Sequence, residues 1–354
     1  MTRLRDFRGF LTIRRLLGAM LAVAVVPACS SSSNTSHGST PSQVVPGTLG
    51  RSTNRSVALR YDVGTCPSSV VYVVSNYNTG VKIYDRAALD AGPCGSVTGF
   101  SLPQGLFVDS KRGLWVADAA AQKIYRFVPG TSGPVVTLSD PNGTPSAVVV
   151  EPNSGSVYVT EYQNNNNPHT LVEVYANGST TPTGSLSDPN ARNGGYAAVD
   201  SAGNVYVTFM TQANRGQVDR WIRGAGTPEN LELKLISAGG IVTTGSGALA
   251  VCDTYHSRCG IYARGSTKMS HVFGHMGHGS GGIENKPPWL FPEALVLDRS
   301  EQRAYLTANT LSVWRFPGPK SRPNHLAVEE IKVPDGGADE GIAVSPPSRA
   351  GAPW

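Results

Sequence analysis

Two groups of residues in this chain are of types that could do chemistry. His271, His275 and His278 fall within eight positions and are followed by the Gly/Ser run 279–282. Three imidazoles can hold zinc or copper and leave a position open for water. The segment has no helical periodicity to orient them and no carboxylate close by to fix the rings, so a metal-free loop is the plainer expectation. The second group is a set of acids at the ends of predicted strands: Asp118, Glu161, Asp253, Glu293, Asp339 and Glu340. If those ends crowd a common mouth, their oxygens could bind Ca²⁺; solvated strand ends are the alternative. No Gly-x-Ser-x-Gly elbow, phosphate-binding glycine loop or zinc-peptidase motif is present.

The elements that would position these residues come from a repeat. The phrase Leu114-Trp115-Val116-Ala117 returns as Val71-Tyr72-Val73-Val74, Val157-Tyr158-Val159-Thr160, Val205-Tyr206-Val207-Thr208, Ala248-Leu249-Ala250-Val251 and Ala304-Tyr305-Leu306-Thr307. Tyr72, Trp115 and Tyr158 are 43 residues apart, and Tyr206 follows 48 later. A period of roughly 40–50 residues suits a four-stranded propeller blade. Each copy is preceded by a strand such as Leu106-Phe107-Val108 or Leu295-Val296-Leu297, with a glycine-bearing turn between. A third strand follows, such as Lys123-Ile124-Tyr125-Arg126. Fourth strands are fainter; Val135-Val136-Thr137-Leu138 and Leu326-Ala327-Val328 are assigned to them. The copy at Tyr72 lacks a first strand, and the chain ends in an orphan one, Gly341-Ile342-Ala343-Val344-Ser345. Pairing the two closes the ring and removes two raw sheet edges. The expectation is an all-β, six-bladed propeller closed three-plus-one over 57–346.

This pattern resembles the NHL-repeat propellers and, more loosely, the streptogramin-lyase and gluconolactonase-like propellers. The resemblance implies the fold. For the gluconolactonase-like group it also implies acids and an Asn holding a catalytic metal around the channel, parts for which Glu340 and Asn309 are the candidates here. The repeated Trp and Tyr positions are expected to pack blade against blade.

The N-terminus reads as a leader. Five Arg in residues 3–15 precede an apolar run, 16–26, too short to span a bilayer, which ends in Val26-Pro27-Ala28-Cys29. That ending resembles a bacterial lipobox with Cys29 as the lipidated residue. Residues 1–28 would be removed, 29–56 would form a Ser/Gly/Pro-rich tether, and 347–354 a tail. Ser30 after the cysteine resembles the outer-membrane sorting pattern. The protein is therefore expected to be exported and lipid-anchored to the cell envelope, facing periplasm or exterior. The five leader Arg against Asp6 account for +4 of the net charge of +5, so nothing points to a nucleic-acid partner.

Cys66, Cys94, Cys252 and Cys259 remain, an even number in an exported chain, and neighbours are expected to pair as 66–94 and 252–259. The longer loops, 161–167, 210–215, 253–258 and 274–291, fall on the face of the blade-to-blade connections. That face is the expected binding surface, with Asp118, Glu161, Tyr162, Asp253, His256, Glu293, Asn309, Asp339 and Glu340 as its candidates. The leading expectation is a monomeric binding or scaffold protein for a protein, peptide or carbohydrate, with no required cofactor. The alternative is a metal-dependent hydrolase or lyase carrying Ca²⁺ or Zn²⁺.

Overall fold

The computed structural model describes residues 58–75, 80–164, 167–273, 293–307, 310–316, 329–331 and 341–347. Six antiparallel sheets succeed one another along the chain, each ordered from an inner strand outward. Blade two is Pro103–Val108, Leu114–Asp118, Lys123–Phe127 and Val136–Ser139. Blade three is Gly143–Val150, Val157–Asn164, Thr170–Tyr175 and Gly184–Ser187. Blade four runs from Ala191–Val199 to Glu229–Asn230, blade five from Ala238–Thr243 to Met269–Phe273, and blade six from Ala294–Leu297 to Glu329–Ile331.

Ring closure follows the expected exchange. Ile342–Ser345 pairs with Val70–Ser75, Ala343 opposite Tyr72, and becomes the inner strand of blade one. Blade one differs from the expectation in carrying a fifth strand. Arg60–Asp62 pairs with Ser96, Val97 and Thr98 and covers the edge that the fourth strand, Pro93–Thr98, would otherwise expose. The outer strand of blade six is a second difference: it is Glu329–Ile331, while 326–328 lies outside the described residues.

The core is divided among the seams between blades. Alternation along a strand sends successive side chains to opposite faces, so Val157 and Val159 pack toward blade two while Tyr158 packs toward blade four. The repeated aromatic of the second strand fills the forward seam: Tyr72 against blade two, Trp115 against blade three, Tyr206 against blade five, Tyr305 against blade one.

Short turns between inner and second strands lie on one face, which we call the lower. An acid closes the inner strand at four of them. Asp109 accepts the Lys111 and Gly113 amides, Trp115 Nε1 at 2.9 Å and Arg126 Nε at 2.7 Å. Burial raises its pKa, but Arg126, the Gly113 amide and the Trp115 indole outweigh that and hold it below the usual carboxylate range. Glu151, Asp200 and Asp298 organise equivalent turns. Above these turns the inner strands enclose a central cavity of 790 Å³ walled largely by aliphatic and aromatic side chains, among them Phe107, Val150, Tyr196, Val242 and Val296.

Candidate functional site

The upper face carries the ends of the second strands. Pairing registers make Asp118, Glu161 and Asp253 comparable: Asp118 and Asp253 sit opposite the first residue of their blade's inner strand, Pro103 and Ala238, and Glu161 sits opposite Pro145, two residues into its own. Asp118 accepts the amides of Leu102 (2.8 Å) and Ser101 (2.9 Å). Asp253 accepts those of Ser237 (3.2 Å) and Ile236 (3.3 Å). Both carboxylates therefore clamp the chain as it arrives from the preceding blade. They are almost wholly buried, and their oxygens are taken up by the protein.

In blade three the same position is different. The arriving connection presents a side-chain carboxyl, Asp140, and the second strand, which here runs past this position to Asn164, presents Glu161. Both are fully buried. Asp140 Oδ1 accepts the Gly143 amide at 3.1 Å, while Asp140 Oδ2 and both oxygens of Glu161 lack a well-formed donor. A carboxyl–carboxylate contact needs a shared proton, and burial dictates where it resides. Burial, the Asp140 charge and the hydrogen bond to Asp140 push Glu161 up to about 11, against the pull of the Thr144 amide. Burial also raises Asp140, opposed by its bonds to Glu161 and the Gly143 amide. At neutral pH Glu161 is the protonated partner and donates to Asp140. Gly143 makes this approach feasible: a Cβ there would lie 1.7 Å from Glu161 Oε2 and 2.9 Å from Asp140 Oδ2. A third carboxyl, Glu173 on the adjacent strand, accepts Asn164 Nδ2 at 2.9 Å and is raised chiefly by burial.

The next seam repeats the device. Leu186-Ser187-Asp188-Pro189-Asn190 copies Leu138-Ser139-Asp140-Pro141-Asn142, and Asp188 meets Asp219, which occupies the register position of Glu173. Asp219 Oδ1 accepts Gln217 Nε2 at 2.7 Å, and Oδ2 has no well-formed donor. Burial raises Asp219 to about 7, opposed by Gln217 and reinforced by Asp188.

The loop between Cys252 and Cys259 also lies on this face. The two cysteines face each other across the second and third strands of blade five and are disulfide-bonded, as are Cys66 and Cys94. Asp253 Oδ2 lies 2.6 Å from His256 Nδ1, and Ser257 turns the chain at φ +51°. The tip is thus fixed from three sides. Tyr255 stands half-exposed upon it, its ring 5.4 Å from and perpendicular to that of His256.

The remaining candidates do not gather into one cluster among the described residues. Tyr162 is half-buried beyond the Thr160/Glu161 bulge. Glu293 precedes the inner strand of blade six and donates its amide to the Thr307 carbonyl. His271 lies on the outer strand of blade five opposite Ile261, 3.0 Å from Ser270 Oγ. Cys29, His275, His278, Asn309, Asp339 and Glu340 lie outside the described residues. Among the described residues no three His, Cys, Asp or Glu side chains converge as a metal-holding group. Asp140, Glu173, Asp188 and Asp219 were not singled out in the sequence, although the repeated Leu-Ser-Asp-Pro-Asn was there to be read.

Neither a protein-family model nor any curated protein matches this sequence. Solved structures do resemble the fold. A chain of the nidogen/laminin complex aligns with a TM-score of 0.61 at 14% identity, covering 78% of this chain and 98% of that one. Regucalcin of Agrobacterium tumefaciens strain C58, described as a calcium-binding protein, aligns at 0.49 and 12% identity over 69% of this chain and 78% of that one.

Proposed function

We propose that this chain is a binding or scaffold module that presents its upper face to a protein partner and is held at the cell envelope through lipidated Cys29. The observation that carries the binding part is the Tyr255–His256 tip. Large exposed apolar side chains are few among the described residues, namely Val135, Ile222 and Tyr255. Tyr255 alone of these sits on a disulfide-closed turn. A rigid aromatic that is already ordered loses little conformational freedom on docking, which is what makes such residues energetic centres of interfaces. The structural likeness to a chain from a protein–protein complex supports a protein ligand. The strand-end acids weigh toward the same reading, because Asp118 and Asp253 spend their oxygens on backbone amides.

Photo-crosslinking tests the proposal. A benzoylphenylalanine at position 255 should give a discrete protein adduct in producing cells, and the same probe at Ala202 on the lower face should not. Equal adducts from both positions, or none at 255, would refute it. Metabolic labelling with a fatty-acid analogue tests the anchor: labelled wild type and unlabelled, soluble Cys29→Ala are expected. An unlabelled wild type would remove the anchoring part.

A further inference from the structure

The seam between blades two and three holds an electrostatic imbalance that the binding reading does not use. Asp140 and Glu161 are in contact and buried, Glu173 stands on the adjacent strand, and no Lys or Arg forms an ion pair with any of them among the described residues. Glu161 is fully buried, and apart from their contact with each other neither its oxygens nor Asp140 Oδ2 has a well-formed partner. A Cβ on Gly143 would collide with Glu161 Oε2 and Asp140 Oδ2 at once, so these two oxygens are close neighbours. One shared proton neutralises one carboxyl of the three. The other charges stay buried without a counter-ion, which proteins rarely tolerate.

We propose that this seam binds one hard divalent cation of the Ca²⁺ type between Asp140 and Glu161. Ca²⁺ suits an all-oxygen set that mixes carboxylates, carboxamide and backbone carbonyls and is completed by water. Asp140 and Glu161 supply the charge. Glu173, on the adjacent strand, offsets what remains. The site lies within a seam and not in the central channel, so the cation would tie two blades together and hold the arriving connection as the Leu102 and Ser101 amides do at Asp118. The proposal is independent of the protein-binding role.

Tyr175 offers the readout. Its ring packs in the same seam, its hydroxyl donates to the Ser139 carbonyl at 3.0 Å, and the charges of Asp140, Glu161 and Glu173 all bear on it. Terbium, which replaces Ca²⁺ at oxygen sites, should be sensitised by this ring. The expected result is one Tb³⁺ per chain, with luminescence displaced by Ca²⁺ and lost in the Asp140→Asn/Glu161→Gln double variant. The melting temperature of wild type should rise by roughly 5 °C or more at a hundredfold Ca²⁺ excess over Kd, and that of the variant should not move. Should the double variant fail to fold, Tyr175→Phe decides: it should keep Ca²⁺ uptake by equilibrium dialysis while losing the luminescence. Less than one Ca²⁺ bound by wild type, or a melting temperature indifferent to Ca²⁺ against chelator, would overturn the proposal and leave protons as the neutralising species. Undiminished binding by a folded double variant would overturn it too.

Discussion

At the scale of single residues, Asp118 and Glu161 stand at comparable positions on their second strands and do opposite things. Asp118 meets amides, so its charge is solvated by the backbone. Removing it leaves the amides of Ser101, Leu102 and Ala121 without their acceptor, and Asp118→Ala should cost about 2–3 kcal/mol in urea unfolding. A loss within experimental error would mean that water replaces the carboxylate. Glu161 meets another carboxyl, and Gly143 lies where a side chain would collide with it. Gly143→Ala should therefore destabilise by about 1–3 kcal/mol, and Glu161→Ala should relieve much of that in the double variant. Additive losses would show that the glycine answers to something else. The acids at 118, 161 and 253 were legible in the sequence as a group because each follows the repeated phrase of a homologous strand. Their different roles were not. What separates them is the connection arriving from the neighbouring blade, which lies 16–21 positions upstream and carries amides in two cases and Asp140 in the third.

At the scale of elements, the acid pairs at two consecutive seams make stability depend on pH. Glu161 and Asp219 titrate higher in the folded than in the unfolded chain, Asp219 near 7 and Glu161 near 11. As pH rises above the unfolded value near 4, the unfolded chain releases these protons while the folded chain keeps them, so stability falls. The fall should be on the order of 1 kcal/mol per pH unit between pH 5 and 7 in chelator. Glu161→Gln, which can still donate to Asp140, and Asp219→Asn should each flatten it; a wild-type profile already flat over that range would contradict the assignment. The second and third strands were readable because two-residue alternation and the repeated aromatic mark them. The outer strands were less so. Glu329–Ile331 and Arg60–Asp62 are only three residues long, and in the latter only Tyr61 is buried, so little selects a hydrophobic pattern. The Cys252–Cys259 bridge was foreseeable from spacing in a hairpin, and closing so short a loop contributes about 2–3 kcal/mol by chain entropy.

At the scale of the whole molecule, the ring is closed by one strand from the far end of the sequence. Truncation after Pro334 removes Ile342–Ser345, uncovers Val70–Ser75 and strips Ala343 and Val344 from the two seams flanking blade one. The truncated chain should aggregate and melt well below the intact one; an unchanged, monomeric melt would contradict closure by exchange. Closure could be foreseen because blade one lacked a first strand and the C-terminus supplied a spare. The identity of the partner could not, since a propeller face binds through local loops whose residues no repeat constrains. What the ring does fix is which side each loop occupies, placing Tyr255 on the upper face and Ile222, equally exposed, in a turn on the lower. The affinity of the cross-linked partner for Tyr255→Ala and Ile222→Ala, titrated side by side, tests the functional reading most directly. Tyr255→Ala should weaken binding about tenfold or more and Ile222→Ala should leave it unchanged. Equal affinities for wild type and Tyr255→Ala, or a loss confined to Ile222→Ala, would contradict it.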